Sequence, residues 1–120
     1  MTPDEYYFEE GCYITELHNT PADPLVSLAR ARVEVGRVTR WHSLDGIEER
    51  YLIVDGTGRL EMGSQAPRDV RPGDVVRIPS GCRQRITNTG PADLLFLVLC
   101  TPRFVRAAYR DLEPAAPVAP

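Results

Sequence analysis

Most of the chain alternates between apolar and polar residues with a period of two, which is typical of β-strands that have one buried face. Residues 94–100, LLFLVLC, are instead continuously apolar, which predicts a strand covered on both faces. The alternating pattern predicts further strands over 12–17, 26–35, 39–44, 49–54, 59–62, 75–78 and 83–87. The chain is therefore expected to be rich in short strands.

Glycine, proline and polar clusters separate these segments. Residues 55–58, DGTG, predict a tight hairpin, and residues 63–72 predict a polar loop. Residues 103–112 could form a short helix, and the Pro/Ala-rich residues 113–120 are expected to be a disordered tail. Many short strands with one weak helical segment indicate an all-β sandwich or barrel, formed by a single domain over residues 1–112.

The composition is that of an ordinary globular protein, with 42% apolar and 26% charged residues in a chain of 120. The net charge of −3 argues against a nucleic-acid partner, because phosphate binding needs clustered positive charge. No apolar run approaches the length of a membrane span. Three cysteines without a CxxC pair fit reduced thiols, and the acidic start is unlike a signal peptide, so we expect a cytoplasmic protein.

The first ten residues combine four carboxylates with three aromatic side chains. This mixture predicts a short arm that lies over another part of the protein. Farther along, Trp41, Leu52 and Val54 fall on outward faces of their predicted strands. Together with the apolar segment 94–100, they leave more hydrophobic surface than one barrel covers, which predicts an isologous homodimer. The alternative is that the arm covers this surface within one chain.

Two stretches carry glycines and polar residues at characteristic spacings. They are residues 36–56, GRVTRWHSLDGIEERYLIVDG, and residues 73–88, GDVVRIPSGCRQRITN. Together they resemble the two halves of the cupin signature. The matching positions are Gly36, His42, Glu49 and Gly56 in the first half and Gly73, Pro79, Gly81 and Asn88 in the second. The resemblance implies an all-β, double-stranded β-helix (jelly-roll) cupin barrel with a short C-terminal helix or extension.

The resemblance also implies a site for one divalent metal. In the family, two histidines and a glutamate of the first half and a histidine of the second half bind the ion. Here Leu44 and Gln84 occupy two of the histidine positions, so the implied ligands are His42, Glu49 and Gln84. Such donors suit iron, manganese, nickel or zinc. The alternative is that these three side chains form a metal-free, hydrogen-bonded cluster in a pocket.

The strand period adds candidate pocket residues to the site. Arg40 and Leu44 share the face of His42, and Tyr51 shares the face of Glu49. We therefore expect Arg40, Leu44, Tyr51 and Gln84 to bind a small polar or carboxylate metabolite, with Glu49 and Tyr51 as catalytic residues. Arg40 could instead be a surface residue at the barrel rim.

Three functions remain open at this point. The first is a divalent-metal-dependent enzyme of the dioxygenase or isomerase type. The second is a non-catalytic module that binds or senses a small molecule without a tightly bound metal. The third is a metal-free isomerase or epimerase that uses His42 as its base. The retained His42 and Glu49 favour an enzyme, whereas the two lost imidazoles favour a binding module.

Overall fold

The computed structural model describes residues 4–113, and almost all of their regular structure is β. The helical part of these residues is one 3-10 turn, Arg106–Ala108. The strands are β1 (Glu5–Phe8), β2 (Cys12–His18), β3 (Ser27–Val33), β4 (His42–Leu44), β5 (Glu48–Asp55), β6 (Gly58–Met62), β7 (Arg68–Val70), β8 (Val75–Ile78), β9 (Gln84–Asn88), β10 (Leu94–Thr101) and β11 (Tyr109–Asp111).

The strands form two antiparallel sheets. The six-stranded sheet has the order β1-β2-β3-β10-β5-β8, and the five-stranded sheet has the order β11-β4-β9-β6-β7. The chain crosses from one sheet to the other between β3 and β4, between β4 and β5, and between β5 and β6. This winding of alternating sheets is the jelly roll, and the predicted all-β, double-stranded β-helix is confirmed.

The turn after β5 differs from its prediction. Residues 55–58 do not close a hairpin, because β5 and β6 lie in different sheets. Gly56 has a φ of 81°, and a Cβ there would lie 2.6 Å from the backbone oxygen of Asp93. The DGTG sequence thus carries the chain between sheets at a point where only glycine fits.

Two further segments differ from the sequence pattern. The predicted polar loop 63–72 contains the short strand β7, which pairs with β6. The predicted helix 103–112 is one 3-10 turn followed by β11, which pairs with β4 from Tyr109↔Leu44 to Asp111↔His42. Pairing with an existing strand satisfies the backbone there, and this outweighs a weak local helix preference. Of the predicted disordered tail 113–120, residues 114–120 lie outside the described residues.

The core lies between the two sheets and has two parts. The larger cluster is centred on Val33, Ile53, Leu60, Ile78 and Leu94. The smaller cluster, toward the C-terminal segment, contains Leu44, Ile47, Cys100, Ala108 and Tyr109. The continuously apolar β10 is central in its sheet, with one face buried and the outer leucines half-buried.

The N-terminal arm is part of the six-stranded sheet. It forms β1, which pairs with β2 from Glu5↔Thr15 to Phe8↔Cys12. Arg32 of β3 fixes the arm from outside, because its guanidinium lies 2.7 Å from Oε1 of Glu5. As a result, Phe8 and Glu10 reach the opening of the barrel.

The outer surface carries part of the apolar area expected for a homodimer. Leu52 and Val54 are 40% and 50% exposed. Trp41 is instead partly covered within the chain, because the guanidinium groups of Arg83 and Arg85 each lie 4.5 Å from its ring centroid. The homodimer stays a prediction. Among residues 4–113 there is no helix of sufficient length and hydrophobicity to cross a membrane.

Candidate active site

A cavity of about 60 Å³ opens between the sheets next to the N-terminal arm. Its walls are mostly apolar and aromatic, with side chains that include Phe8, Leu44, Phe96, Val98, Phe104 and Tyr109. Polar residues also line it, among them the ionisable side chains of Glu10, His42, Glu49 and Tyr51. An apolar pocket with a few polar groups is the usual character of a small-molecule site.

His42 is fixed at the first residue of β4 and is 2% exposed. Its Nδ1 lies 2.7 Å from the backbone oxygen of Arg40. Since a carbonyl oxygen can only accept, Nδ1 carries a proton. Nε2 lies 3.1 Å from Oε2 of Glu10, and the ring of Tyr109 stacks on the imidazole with centroids 5.5 Å apart. The imidazole is therefore held on three sides.

Glu10 is one of the site residues that sequence reasoning missed. Its backbone oxygen accepts a hydrogen bond of 2.7 Å from the amide of Arg40, which ties the arm to the segment before β4. Burial raises the pKa of the Glu10 carboxyl, while His42 and the thiol of Cys12 oppose this rise. The only signal in the sequence was the acidic and aromatic composition of the arm, which indicates coverage but does not identify a partner.

Glu49, Gln84 and Tyr51 form a second, connected group. The side-chain amide of Gln84 donates to Oε1 of Glu49, and the hydroxyl of Tyr51 donates to Oε1 of Gln84 over 2.6 Å. Burial, reinforced by the charge of Glu10, raises the pKa of Glu49 to about 7, against the opposing effects of His42 and Gln84. Burial also raises the pKa of Tyr51 well above its ordinary value, so its phenol stays protonated.

The structure brings together most of the predicted site residues. His42, Leu44, Glu49 and Tyr51 line the cavity. Gln84 is 1% exposed and lies behind the lining, where it connects Tyr51 to Glu49. His42, Glu49 and Gln84 therefore lie close together, with Gln84 outside the cavity lining, and their roles stay predictions.

The structure places Arg40 outside the cavity lining, and its role in binding a ligand stays a prediction. Its side chain does not contribute to the cavity wall, and its Nε lies 3.0 Å from Oδ2 of Asp111. The strand period fails here because β4 begins only at His42, so Arg40 lies in an irregular segment. Arg40 contributes to the site through its backbone. Its carbonyl oxygen accepts from Nδ1 of His42, and its amide donates to the backbone oxygen of Glu10.

The donor set does not fit a tightly held metal ion. Among residues 4–113, no three or more His, Cys, Asp or Glu side chains are grouped so that they could bind one. The carbonyl oxygen of Gln84 already accepts from Tyr51, and its amide hydrogens face Glu49. Leu44, an alkyl group, stands where the family has its second histidine. A metal would have to displace these hydrogen bonds and bind few donors.

The other signature positions shape the fold. The side-chain amide of Asn88 donates to the backbone oxygens of Val33 and Ala92, each over 2.9 Å, and its Oδ1 accepts from the amide of Gly90. Asn88 thus closes the loop before β10. Four signature glycines adopt positive φ, between 75° and 93°: Gly36, Gly56, Gly73 and Gly81. These residues are required by backbone geometry rather than by chemistry.

Comparison with known proteins identifies the family. The sequence-family model that describes the cupin domain matches residues 29–100, so the chain belongs to the cupin family. An uncharacterized protein of Methanocaldococcus jannaschii, MJ1618, is 31% identical over 110 residues, which cover 90% of this chain and 85% of that protein.

Solved structures show the same fold at low sequence identity. KdgF from Halomonas sp. is similar with a TM-score of 0.74 and 21% identity, over 84% of this chain and 89% of that chain. Pac13, a nucleoside dehydratase of Streptomyces, is similar with a TM-score of 0.76 and 17% identity, over 91% of this chain and 83% of that chain. These likenesses support the cupin barrel and leave the reaction open.

Proposed function

We propose that the cavity binds a small hydroxylated metabolite and moves a proton on it, as an isomerase or lyase does. The acid–base group of this proposal is the pair formed by His42 and Glu10. The observation that carries it is the 3.1 Å distance between Nε2 of His42 and Oε2 of Glu10 inside the cavity, with Nδ1 of His42 anchored to a backbone oxygen.

The geometry allows this pair to hold one proton in either of two places. With the proton on Nε2, the pair is an imidazolium beside a carboxylate. With the proton on Glu10, the pair is a neutral imidazole that accepts from a carboxylic acid. A ligand group that reaches Nε2 can therefore give up or receive a proton, and the fixed Nδ1–H keeps the ring oriented during the transfer.

Glu49 is suited to be the second proton-transfer group. A carboxyl with a pKa of about 7 is present in both protonation states near neutral pH, which is the condition for efficient general acid–base catalysis. Tyr51 has a different role in this proposal from the predicted one. Its phenol stays protonated and already donates to Gln84, so it positions the Gln84 amide on Glu49.

A divalent-metal-dependent enzyme is the second candidate. One observation favours it: histidines that bind metals usually donate their other ring N–H to a carbonyl or carboxylate, and His42 does this to Arg40. Iron, manganese, nickel or zinc would then take Nε2 and the cavity carboxyls as donors. The hydrogen bonds already made by Gln84 and the alkyl group of Leu44 weigh against this candidate.

The test follows solvent deuterium into ligands. The protein, purified without added metal, is incubated in D₂O with a panel of small hydroxyaldehydes and hydroxyketones, and C–H exchange is followed by NMR. We expect exchange with at least one compound, its loss in His42→Gln, and no effect of a chelator. His18→Gln is the matched control, since His18 is on the surface and pairs with Asp23.

Each result separates the candidates. Exchange that a chelator abolishes and added metal restores would replace this proposal by the metal-dependent enzyme. Binding without exchange would leave the non-catalytic module. Exchange that survives in His42→Gln would remove the acid–base pair from the mechanism.

A further inference from the structure

One buried polar atom in the cavity region has no partner. Among the buried side-chain nitrogen and oxygen atoms of residues 4–113, only the hydroxyl of Tyr109 lacks a hydrogen bond. Tyr109 is 7% exposed and lines the cavity. A buried hydroxyl without a partner is destabilising, so its persistence points to a ligand atom that completes it.

The surroundings make Tyr109 a hydrogen-bond donor. Its ring is held by stacking on His42 and by an edge contact with Phe8, whose centroid lies 5.0 Å away. Burial, reinforced by the charge of Glu10, raises the pKa of the Tyr109 phenol, so the hydroxyl keeps its proton. The missing partner is therefore an acceptor, such as a hydroxyl or carbonyl oxygen of a ligand.

The charge of the cavity selects against anions. No arginine or lysine is among the described residues that line it, whereas three glutamates are: Glu10, Glu16 and Glu49. Two arginines outside the lining act on Tyr109, and both are paired: Arg106 lies 5.2 Å from its ring and forms an ion pair with Glu9, and Arg40 forms one with Asp111. A carboxylate or phosphate in this cavity would be desolvated beside three carboxyl groups, and the imidazole of His42, which could carry a positive charge, is already paired with Glu10.

The shape of the cavity limits the size of the ligand. A volume of about 60 Å³ holds a few water molecules, and the cavity is open on one side, so a ligand no larger than a single ring fits it best. Phe8, Phe96, Phe104 and Tyr109 supply aromatic surfaces around it. Aromatic walls with a few polar groups among them fit a ring that carries oxygen substituents.

We propose that the ligand of this site is an uncharged, single-ring compound bearing hydroxyl or carbonyl oxygens, and that the Tyr109 hydroxyl donates to one of them. The inference rests on the cavity of the proposed function and narrows its substrate class. Of the small polar or carboxylate metabolites that the sequence predicts, it favours the uncharged polar ones.

The experiment is calorimetric binding of two matched probes, 4-hydroxybenzyl alcohol and 4-hydroxybenzoate, which share a ring and differ in charge. We expect the alcohol to bind at least about tenfold more tightly than the carboxylate. Tyr109→Phe should weaken binding of the alcohol by about threefold to tenfold, the usual value of one hydrogen bond. It should leave the Tm of the free protein unchanged or higher, because an unsatisfied hydroxyl is removed.

Tyr7→Phe is the control, since Tyr7 is exposed and outside the cavity lining. Equal or tighter binding of the carboxylate, or failure of both probes to bind at millimolar concentration, would overturn the inference. A lower Tm with unchanged affinity in Tyr109→Phe would show a structural hydroxyl instead. These readouts need no turnover, so a clear preference for the alcohol without deuterium exchange would refute proton transfer and leave the ligand class intact.

Discussion

Replacing Glu49 by glutamine should stabilise the protein at neutral and alkaline pH. Glutamine has nearly the shape of the protonated carboxyl and keeps a carbonyl oxygen for the amide of Gln84, so the packing is preserved. What it removes is the need to ionise a buried group. The substitution therefore isolates the electrostatic cost of Glu49 in the cavity.

The magnitude follows from the pKa of Glu49, which is about 7 in the fold and 4.5 as its ordinary value. That difference corresponds to at most about 3 kcal/mol in the free energy of unfolding. Below pH 4.5 both states are protonated. As the pH rises toward 7, the unfolded chain releases its proton first, so stability falls across this window. Glu49→Gln should flatten that fall and gain about 1–3 kcal/mol at pH 8.

The assay is urea unfolding of wild type and variant at several pH values between 4 and 9. Glu48→Gln is the matched control, because Glu48 is the adjacent residue and lies 2.8 Å from Arg77. Arg77 lowers the pKa of Glu48, so loss of this carboxylate should not stabilise the protein at any pH in the range. A Glu49→Gln variant that is less stable than wild type at pH 8 would refute the assigned burial cost.

Three further predictions concern the metal, the oligomer and the fold. Gln84→His should tighten divalent metal binding at least about tenfold, or about 1.4 kcal/mol, because position 84 pairs with His42 across β4 and β9. Calorimetry with manganese, nickel and zinc measures this, and no binding by the variant would show that the ligand positions do not converge. Sedimentation at micromolar concentration should show a homodimer that Leu52→Glu weakens, and a monomeric wild type would contradict this. Gly56→Ala should lower the free energy of unfolding by about 2 kcal/mol or more, because the φ of this residue is 81° and the new methyl group would meet the backbone oxygen of Asp93. Thermal unfolding measures this, and an unchanged Tm would contradict the close approach.

The sequence predicted the barrel and much of the cavity because both depend on local rules. In regular strands the period of two is reliable, and it placed Glu49 and Tyr51 on the inner face of β5, with Leu52 and Val54 outside. The spacing of the cupin signature identified His42 as a further site residue. Residues whose orientation is set by neighbouring covalent geometry can be predicted from sequence alone.

The remaining site residues depend on contacts between distant segments. Glu10 lies in the turn between β1 and β2, and only the docking of the arm brings it to His42. Tyr109 enters the cavity because β11 pairs with β4, whereas local preference indicated a helix. Arg40 leaves the predicted face because its segment is irregular. No residue pattern within these segments encodes such pairings.

The central claim is that His42 and Glu10 share a proton inside the cavity, and the ¹⁵N spectrum of the two histidine rings tests it most directly. His18→Gln assigns the signals, because the chain has only two histidines. We predict that His42 keeps Nδ1 protonated, that Glu10→Gln shifts its Nε2 resonance, and that a chelator leaves the spectrum unchanged. A His42 ring with mixed tautomers that ignores Glu10→Gln, or an Nε2 signal that moves when metal is removed, would contradict the account.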